Sequence, residues 1–438
     1  MTTSTAPHPI APPLAENRNF RLLWAGEGVS VLGSMTTAVV VPLVAVTVFD
    51  AGPGWMGLLT AAAWLPWLVI GLPAGAWVDR RDARRVMIAA DLAAAAAIGS
   101  VPLAWALGVL TLPHLVAAAL GVGAASVFLR SAYLPLVPRV TAPDDLAAAN
   151  ARLAGTEAAM QVAGPGLGGA LVAVVSAAYA VVADVVSFLV SALCLHLMDP
   201  STLAPEAPRP AREPLRREVA AGIHVVAHDR FLRFFTVQGG VSNFALTGYG
   251  ALLVLFVVRD LGLDPRGVGT VLALGSLGGL LGAGLARRAS DRLGDARAMV
   301  VLQVSAGPPA LLNALAQPGW RVVLVPLGLA LVGVGVGGAN VIRGTFRMRY
   351  TPPHLLARTM STSSLVNFGT MPLAGLAAGW LGAHVGVRET IALMGVVHLL
   401  ASLATLVGPY GRRRTLPRQP MATWSSGSTA TARKTTVT

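Results

Sequence analysis

Long apolar stretches, each followed by a short polar or charged break, run through almost the whole chain. A hydrocarbon core about 30 Å thick takes roughly 20 apolar residues per helix, and we count twelve stretches of about that length. The pattern predicts an all-α integral membrane protein with twelve transmembrane helices, with ten or eleven as the alternative count. The stretches cover residues 22 to 49, 55 to 78, 86 to 108, 112 to 134, 152 to 176, 178 to 198, 232 to 258, 266 to 287, 297 to 316, 321 to 344, 361 to 385 and 388 to 408.

A proline-rich break with an amphipathic end divides the twelve stretches into two sets of six. We expect each set to form one helical bundle, with the breaks and both ends of the chain outside the membrane. The predicted parts are a cytoplasmic tail at 1 to 19, a six-helix bundle at 20 to 198, a cytoplasmic linker at 199 to 231, a second bundle at 232 to 408, and a disordered cytoplasmic tail at 409 to 438.

The two halves carry a weak internal repeat. One constant offset of 212 positions aligns about 65 residues, and the register then drifts to 213 at Arg130 and Arg343 and to 207 at Pro165 and Pro372. A duplicated six-helix unit is typical of transporters with a site near the bilayer midplane. The pairs include Arg21 and Arg233, Gly28 and Gly240, Gly57 and Gly269, Asp79 and Asp291, and Arg80 and Arg292.

Composition excludes a water-soluble enzyme. Hydrophobic residues make up 54% of the chain and charged residues 12%, whereas a soluble domain carries about 25% charged residues. A formal net charge of +13 is typical of proteins that bind nucleic acid, but no basic stripe with interleaved aromatic residues occurs. We therefore predict no nucleic-acid binding.

The basic residues instead indicate orientation. Of the 33 Lys and Arg residues, 29 lie at the termini, in alternate loops or at the helix ends beside those loops. Four arginines lie on the other side: Arg259, Arg266, Arg321 and Arg388. By the positive-inside rule, we expect a protein of the cytoplasmic membrane with both termini in the cytoplasm.

The usual signatures of cofactor and metal sites do not fit their surroundings. The single cysteine, Cys194, forms neither a disulfide framework nor a thiolate cluster. Two Gly-x-Gly-x-x-Gly runs lie inside apolar helices without a strand before them, and the spacing of His224 and His228 has no third ligand nearby. We predict no cofactor, no metal and no enzymatic activity.

Carboxylates inside the apolar stretches are the main candidates for chemistry, because each costs about 2.5 to 3.5 kcal/mol at a helix centre. We expect one of them to bind the coupling proton, with Glu27 first, then Asp184 and Glu157. Asp91 ranks lower because it is near a predicted helix end. The alternative for each is a structural ion pair, with Arg130 as the partner of Glu157. The second half offers Arg343 and neutral polar residues.

Two motifs are more specific. The loop after the second stretch reads G-x-x-x-D-R-x-x-x-R-R, and its copy in the second half keeps Asp291 and Arg292. The fifth stretch contains G-P-x-x-G-G, in which proline removes a backbone hydrogen bond and glycines allow close helix contact. The residues are Gly75, Asp79, Arg80, Arg84 and Arg85 in the first motif and Gly164, Pro165, Gly168 and Gly169 in the second.

These motifs resemble those of the major facilitator superfamily, and the second is associated with its exporting, antiporter branch. Shorter matches over about residues 17 to 408, such as Asn19-Phe20-Arg21 and Arg358-x-x-Ser361, resemble siderophore exporters and macrolide-efflux proteins. The chain departs from the patterns at Asp82, where glycine is usual, and at Met160. The resemblance implies two pseudo-symmetric six-helix bundles, alternating access, and gating by the loops at Asp79 and Asp291.

The resulting functional hypothesis is a monomeric, proton-coupled exporter of a small amphipathic compound. One charge crossing about 100 mV releases roughly 2.3 kcal/mol, enough for a substrate gradient of about 40-fold. An importer or facilitator on the same fold is the first alternative, and a non-transporting membrane sensor or scaffold is the second. Residues that could line the substrate cavity, or else face lipid or the core, are Trp64, Trp67, Phe128, Asn243 and Phe244.

Overall fold

The computed structural model describes residue 14 and residues 16 to 175, 177 to 204 and 215 to 417. All regular structure in this part of the chain is helical. The first half contains α1 (Arg18–Phe49), α2 (Pro53–Val69), α3 (Gly71–Val78), α4 (Ala83–Ala106), α5 (Leu112–Val140), α6 (Leu146–Val174), α7 (Ala177–Ala180) and α8 (Val182–His196). The second half contains α9 (Leu215–His228), α10 (Arg230–Arg259), α11 (Pro265–Leu293), α12 (Asp295–Ala306), α13 (Leu312–Leu315), α14 (Leu324–Tyr350), α15 (Pro353–His384) and α16 (Val387–Val407).

The predicted fold class is confirmed: twelve helical spans form two six-helix bundles. In the described part of the chain, nine spans are long and apolar enough to cross a membrane, and the bent pair α2 and α3 makes a tenth. The remaining two, α6 and α15, have 29 and 32 residues but are more polar. Each packs against a helix of the other half, so part of its surface faces protein rather than lipid.

A bend of 52° separates α2 from α3. Pro73 lies in the first turn of α3 and has no N–H to donate back to the carbonyl four residues earlier, which interrupts the helix at this point. The bend directs α3, with Gly75 and Asp79 of the loop motif, toward the loop that connects to α4.

We call the side of the molecule that carries the start of α1 and the end of α16 the terminal face. Long-range hydrogen bonds fasten several chain segments there. Asn17 Nδ2 donates to the carbonyl of Val140 (2.8 Å), and Asn19 Nδ2 donates to the carbonyl of Asp199 (2.9 Å). Hydrogen bonds from Ser201 hold the pKa of the Asp199 carboxyl below its usual range. These contacts join the start of α1 to the end of α5 and to the segment after α8.

The linker and the C-terminal segment are partly built into the second bundle. The amphipathic stretch predicted in the linker forms α9, which packs on α15 near Gly222. The structure differs from the predicted tail boundary, because Tyr410 is fully buried against Phe234 and Phe235. An aromatic ring that fills a gap between helices orders the chain that follows it up to residue 417, while 418 to 438 lie outside the described residues.

Candidate functional site

An acidic cluster lies within the first bundle. Glu27 on α1, Glu157 on α6 and Tyr133 on α5 line one pocket, together with Trp24, Gly28, Val31, Leu153 and Thr156. Glu27 lies within electrostatic range of Arg130 and Glu157, and the Arg130 guanidinium lies 5.8 Å from the ring centroid of Tyr133. In the described part of the chain no ion pair within 4 Å joins Glu157 to Arg130. Glu157 is therefore not held in a direct ion pair with Arg130.

Asp91, which the sequence ranked below the other carboxylates, is a further acidic group of the first bundle. It is fully buried, and neither carboxylate oxygen has a hydrogen bond to a described residue. Ser191 is its polar neighbour, and Glu27 lies within electrostatic range. The helix begins at Ala83, eight residues earlier, which places Asp91 about 12 Å along it. A predicted helix start at residue 86 had left the carboxylate nearer the end.

Asp184 lies apart from this cluster. It is buried on α8, where Ser187 Oγ donates a hydrogen bond to Oδ1 (2.9 Å). Both side chains lie against Gly33 of α1, and a Cβ at that position would overlap them. Asp184 does not line the pocket of Glu27 and Glu157, so the structure brings together two of the three predicted proton-binding candidates.

A polar pocket without carboxylates occupies the matching region of the second bundle. Arg343 Nη2 donates to Gln238 Oε1 (2.8 Å) and, more weakly, to Gln303 Oε1 (3.5 Å). Asn243 Nδ2 donates to Asn367 Oδ1 (3.2 Å). The pocket is lined by Gly239, Ser242, Asn243, Gln303, Val336, Asn340, Arg343 and Asn367. Of the predicted cavity residues, Asn243 lines it and Phe244 packs on the hydrophobic core.

The other predicted cavity aromatics lie in the first half. Trp64 and Trp67 of α2 contact Phe368 of α15, with ring centroids 5.9 and 5.0 Å apart. This cluster spans the boundary between the two bundles. Phe128 instead packs edge-on against Trp77 (5.4 Å) toward the terminal face. The aromatic residues thus mark a contact between bundles as well as the inside of one bundle.

The loop that carries the first motif, between α3 and α4, is held by hydrogen bonds to residues of the first half. Asp79 caps the end of α3, and its N–H donates to the carbonyl of Gly75 (3.1 Å). Arg84 donates to the carbonyls of Leu195 and His196, both at 2.6 Å. Asp82 caps the start of α4 by accepting from the N–H of Arg85 (2.9 Å). The turn therefore forms without the usual glycine, because residue 82 has a negative φ.

Its copy in the second half is more exposed. Asp291 and Arg292 lie at the solvent-exposed end of α11, and Arg287 Nε lies 3.9 Å from Asp291 Oδ2. Here the turn does use glycine: Gly294 has a φ of 84°, a conformation that side chains disfavour. The two loops keep the Asp-Arg pair and reach the same turn with different residues.

On the face opposite the termini, the two bundles are in direct backbone contact. Gly57 of α2 meets Gly375 and Gly379 of α15, and Gly169 of α6 meets Gly269 of α11; a Cβ at any of these positions would overlap the partner helix. Arg259 and Asp50 form an ion pair across the same boundary. Sequence reasoning missed that pair, although Asp50 directly follows the first membrane span of its half and Arg259 ends the first membrane span of the other half.

The glycines of the G-P-x-x-G-G motif on α6 contact two different neighbouring helices. Gly164 and Gly168 face α1 at Met35 and Thr36, and Thr36 Oγ1 donates to the carbonyl of Gly164 (3.3 Å). Gly169, next along, faces α11 of the other bundle, and α6 runs unbroken through Pro165. The motif thus joins α6 to its own bundle and to the opposite one.

Nearer the terminal face, the same interface helices are apart. A Cβ added at Gly71 or Gly75 of α3, Gly155 of α6 or Gly284 of α11 would meet no atom within 4 Å. The close glycine contacts between the bundles therefore lie toward the face opposite the termini, and these four glycines make no such contact.

Known proteins share this arrangement. The family model of transmembrane secretion effectors matches residues 8 to 431. The chain is 28% identical to an uncharacterised MFS-type transporter, y4rN, of Sinorhizobium fredii (82% of this chain and 87% of the relative) and 28% identical to the multidrug efflux pump Tap of Mycolicibacterium fortuitum (83% and 89%). A bacterial homologue of the iron transporter ferroportin, solved in an inward-facing state, superposes with a TM-score of 0.70 at 17% identity (90% and 99%). The chain thus belongs to the transmembrane secretion effector family and is a multi-pass transporter of the major facilitator superfamily.

Proposed function

We propose that this transporter exports a small amphipathic compound across the cell membrane in exchange for protons, as a monomer working by alternating access. The efflux activity named for the relative from Mycolicibacterium fortuitum supports export. The excess of basic residues at the terminal face supports placing that face, with both termini, in the cytoplasm. On this orientation the close glycine contacts between the bundles lie toward the outside, which supports a state open to the cytoplasm.

The observation that carries proton coupling is the acidic cluster of the first bundle. Glu27, Asp91 and Glu157 come from three different helices. Glu27 and Glu157 line one pocket, and Asp91 lies within electrostatic range of Glu27. Ionisable groups inside a membrane are costly and commonly mark proton or substrate pathways. A carboxylate that exchanges its proton between the two faces would link proton entry to the rearrangement of the bundles.

The gates give this cycle its two end states. Substrate enters from the cytoplasm while the glycine contacts and the Asp50 and Arg259 pair close the outer face. Separation of those contacts, with approach of the loops at Asp79 and Asp291, then opens the site to the outside. Proton binding at Glu27 from outside accompanies release of the substrate, and the proton leaves to the cytoplasm after the return.

Transport into inside-out vesicles tests the proposal. Compounds chosen by a growth-inhibition panel, with and without this protein, should accumulate in vesicles whose lumen is made acidic, and an uncoupler should abolish accumulation. An Asp79→Asn variant should lose most of this flux, because it alters the gating loop. Flux that persists unchanged with the uncoupler would identify a facilitator, and loss of substrate from preloaded vesicles under the same gradient would identify an importer.

A further inference from the structure

The strongest feature that the proposed function leaves unused is the buried cation of the second bundle. Arg343 is 8% exposed, and within the described ranges no carboxylate lies within 4 Å of its guanidinium. Its only strong hydrogen bond goes to Gln238, and Nε has no partner among the described residues. A buried cation without a counter-ion is costly. An anion supplied from outside the chain would relieve that cost.

The internal repeat shows that the counter-ions are absent from one half only. Arg130 and Arg343 occupy matching positions, and in the first half Glu27 lies within electrostatic range of the arginine. At the aligned positions, Glu27 corresponds to Gly239, Asp91 to Gln303 and Glu157 to Ser364. All three acids are thus replaced by neutral residues, while the arginine is kept.

The surroundings of Arg343 suit an oxyanion. Gly239 has no side chain, and a Cβ there would lie 3.2 Å from Arg343 Nη1, so glycine leaves that nitrogen accessible. Asn243, Asn340 and Asn367 line the same pocket, and their amide groups can donate hydrogen bonds. Guanidinium binds carboxylate and related oxyanions through two parallel hydrogen bonds.

We propose that the pocket of Arg343 binds an anionic group, a carboxylate or sulfonate, on the amphipathic compound that the protein transports. Proton binding then belongs to the first bundle and substrate-anion binding to the second. The inference rests on the proposed function only in taking the bound molecule to be the transported one. The pocket is lined by residues of α10, α12, α14 and α15 of the second bundle.

A matched pair of fluorescent probes tests this without any transport. Anilinonaphthalene sulfonate and phenylnaphthylamine share their ring system, and only the first carries a sulfonate. The purified full chain is placed in nanodiscs of phosphatidylcholine alone, so that no lipid has a net negative charge. After subtraction of empty nanodiscs, we expect the wild-type protein to bind the sulfonate at least about tenfold more tightly than the neutral probe.

The Arg343→Gln variant should lose this preference and keep its affinity for the neutral probe. The control Arg321→Gln removes the same charge from an exposed loop and should behave as wild type. If Arg343→Gln does not fold, Asn340→Ala, at an exposed edge of the pocket, tests the proposal instead. This variant should lose affinity for the sulfonate probe severalfold and keep its affinity for the neutral probe. A wild-type protein without preference, or pocket variants that keep it, would overturn the proposal. Such a result leaves the vesicle test of export unaffected, because no gradient is present.

Discussion

The smallest residues make the most demanding contacts in this protein. Gly33 of α1 is covered by Asp184 and Ser187 of α8, so the buried carboxylate can approach α1 only where a side chain is missing. Asp184 is held by Ser187 and lies outside the open acidic pocket. Two carboxylates that look alike in the sequence therefore differ in their surroundings. Asp184 is packed against α1, whereas Glu27 lines a pocket.

We therefore expect Gly33→Ala to destabilise the protein, by about 1 to 3 kcal/mol, the usual cost of overpacking a core. Gly284→Ala provides a matched control, because a Cβ there meets nothing within 4 Å and alanine favours a helix. The measurement is the midpoint of thermal unfolding by fluorescence-detected size exclusion. Equal midpoints for the two variants would show that the side chains of Asp184 and Ser187 shift to accommodate the added methyl group, and would contradict the prediction.

Replacement of single carboxylates distinguishes the proton site from the packed one. Glu27→Gln cannot release a proton, so proton-driven accumulation in vesicles should fall at least about tenfold while substrate exchange without a gradient continues. Asp91→Asn should lower accumulation less. Asp184→Asn should mainly alter thermal stability. If Glu27→Gln and Asp184→Asn both left proton-driven transport intact, proton coupling through these groups would be excluded.

At the scale of helices, closure of the outer face depends on backbone contact between α2 and α15 and between α6 and α11. Such contacts require glycine on both sides, and the ion pair of Asp50 and Arg259 adds one charged contact between α1 and α10. Bulky residues at the glycines should force the helix ends apart. In the proposed cycle, the contacts that close the face opposite the termini thus consist mainly of glycines, with one ion pair.

Cross-linking can measure this gate. In a Cys194→Ser background, a short bifunctional maleimide should join Asp50→Cys to Arg259→Cys efficiently, and addition of Gly269→Leu should reduce the yield severalfold by opening the outer face. The pair Arg80→Cys and Asp291→Cys on the terminal face should show the opposite change. An unchanged yield at both pairs would mean that Gly269 does not control closure.

For the whole molecule, the proposed orientation rests on where the basic residues lie. Pro318 and Arg412 are both exposed, on the outer and terminal faces respectively. In the cysteine-free background, a membrane-impermeant maleimide should label Pro318→Cys in intact cells and Arg412→Cys only after permeabilisation. Labelling in the reverse order would invert the proposed direction of transport.

The sequence predicted the number of spans and the two-half organisation because apolar length and repeat spacing are local properties. It gave Glu27 and Glu157 as separate candidates. Their position in one pocket could not be predicted, because it depends on how α1 and α6 pack. It ranked Asp91 low because a helix start cannot be located to within a turn from hydropathy. It missed the pair of Asp50 and Arg259, whose partners are 209 residues apart along the chain.

The C-terminal segment has a consequence for handling the protein. The carbonyl of Arg414 accepts hydrogen bonds from the N–H groups of Ala296 and Arg297, beside the second signature loop, and Tyr410 fills a gap in the helix bundle below it. Residues 409 to 417 therefore form a strap that is fastened beside the loop at Asp291. An affinity tag or a truncation belongs after residue 417, because one placed directly after α16 would remove the strap and free the loop at Asp291.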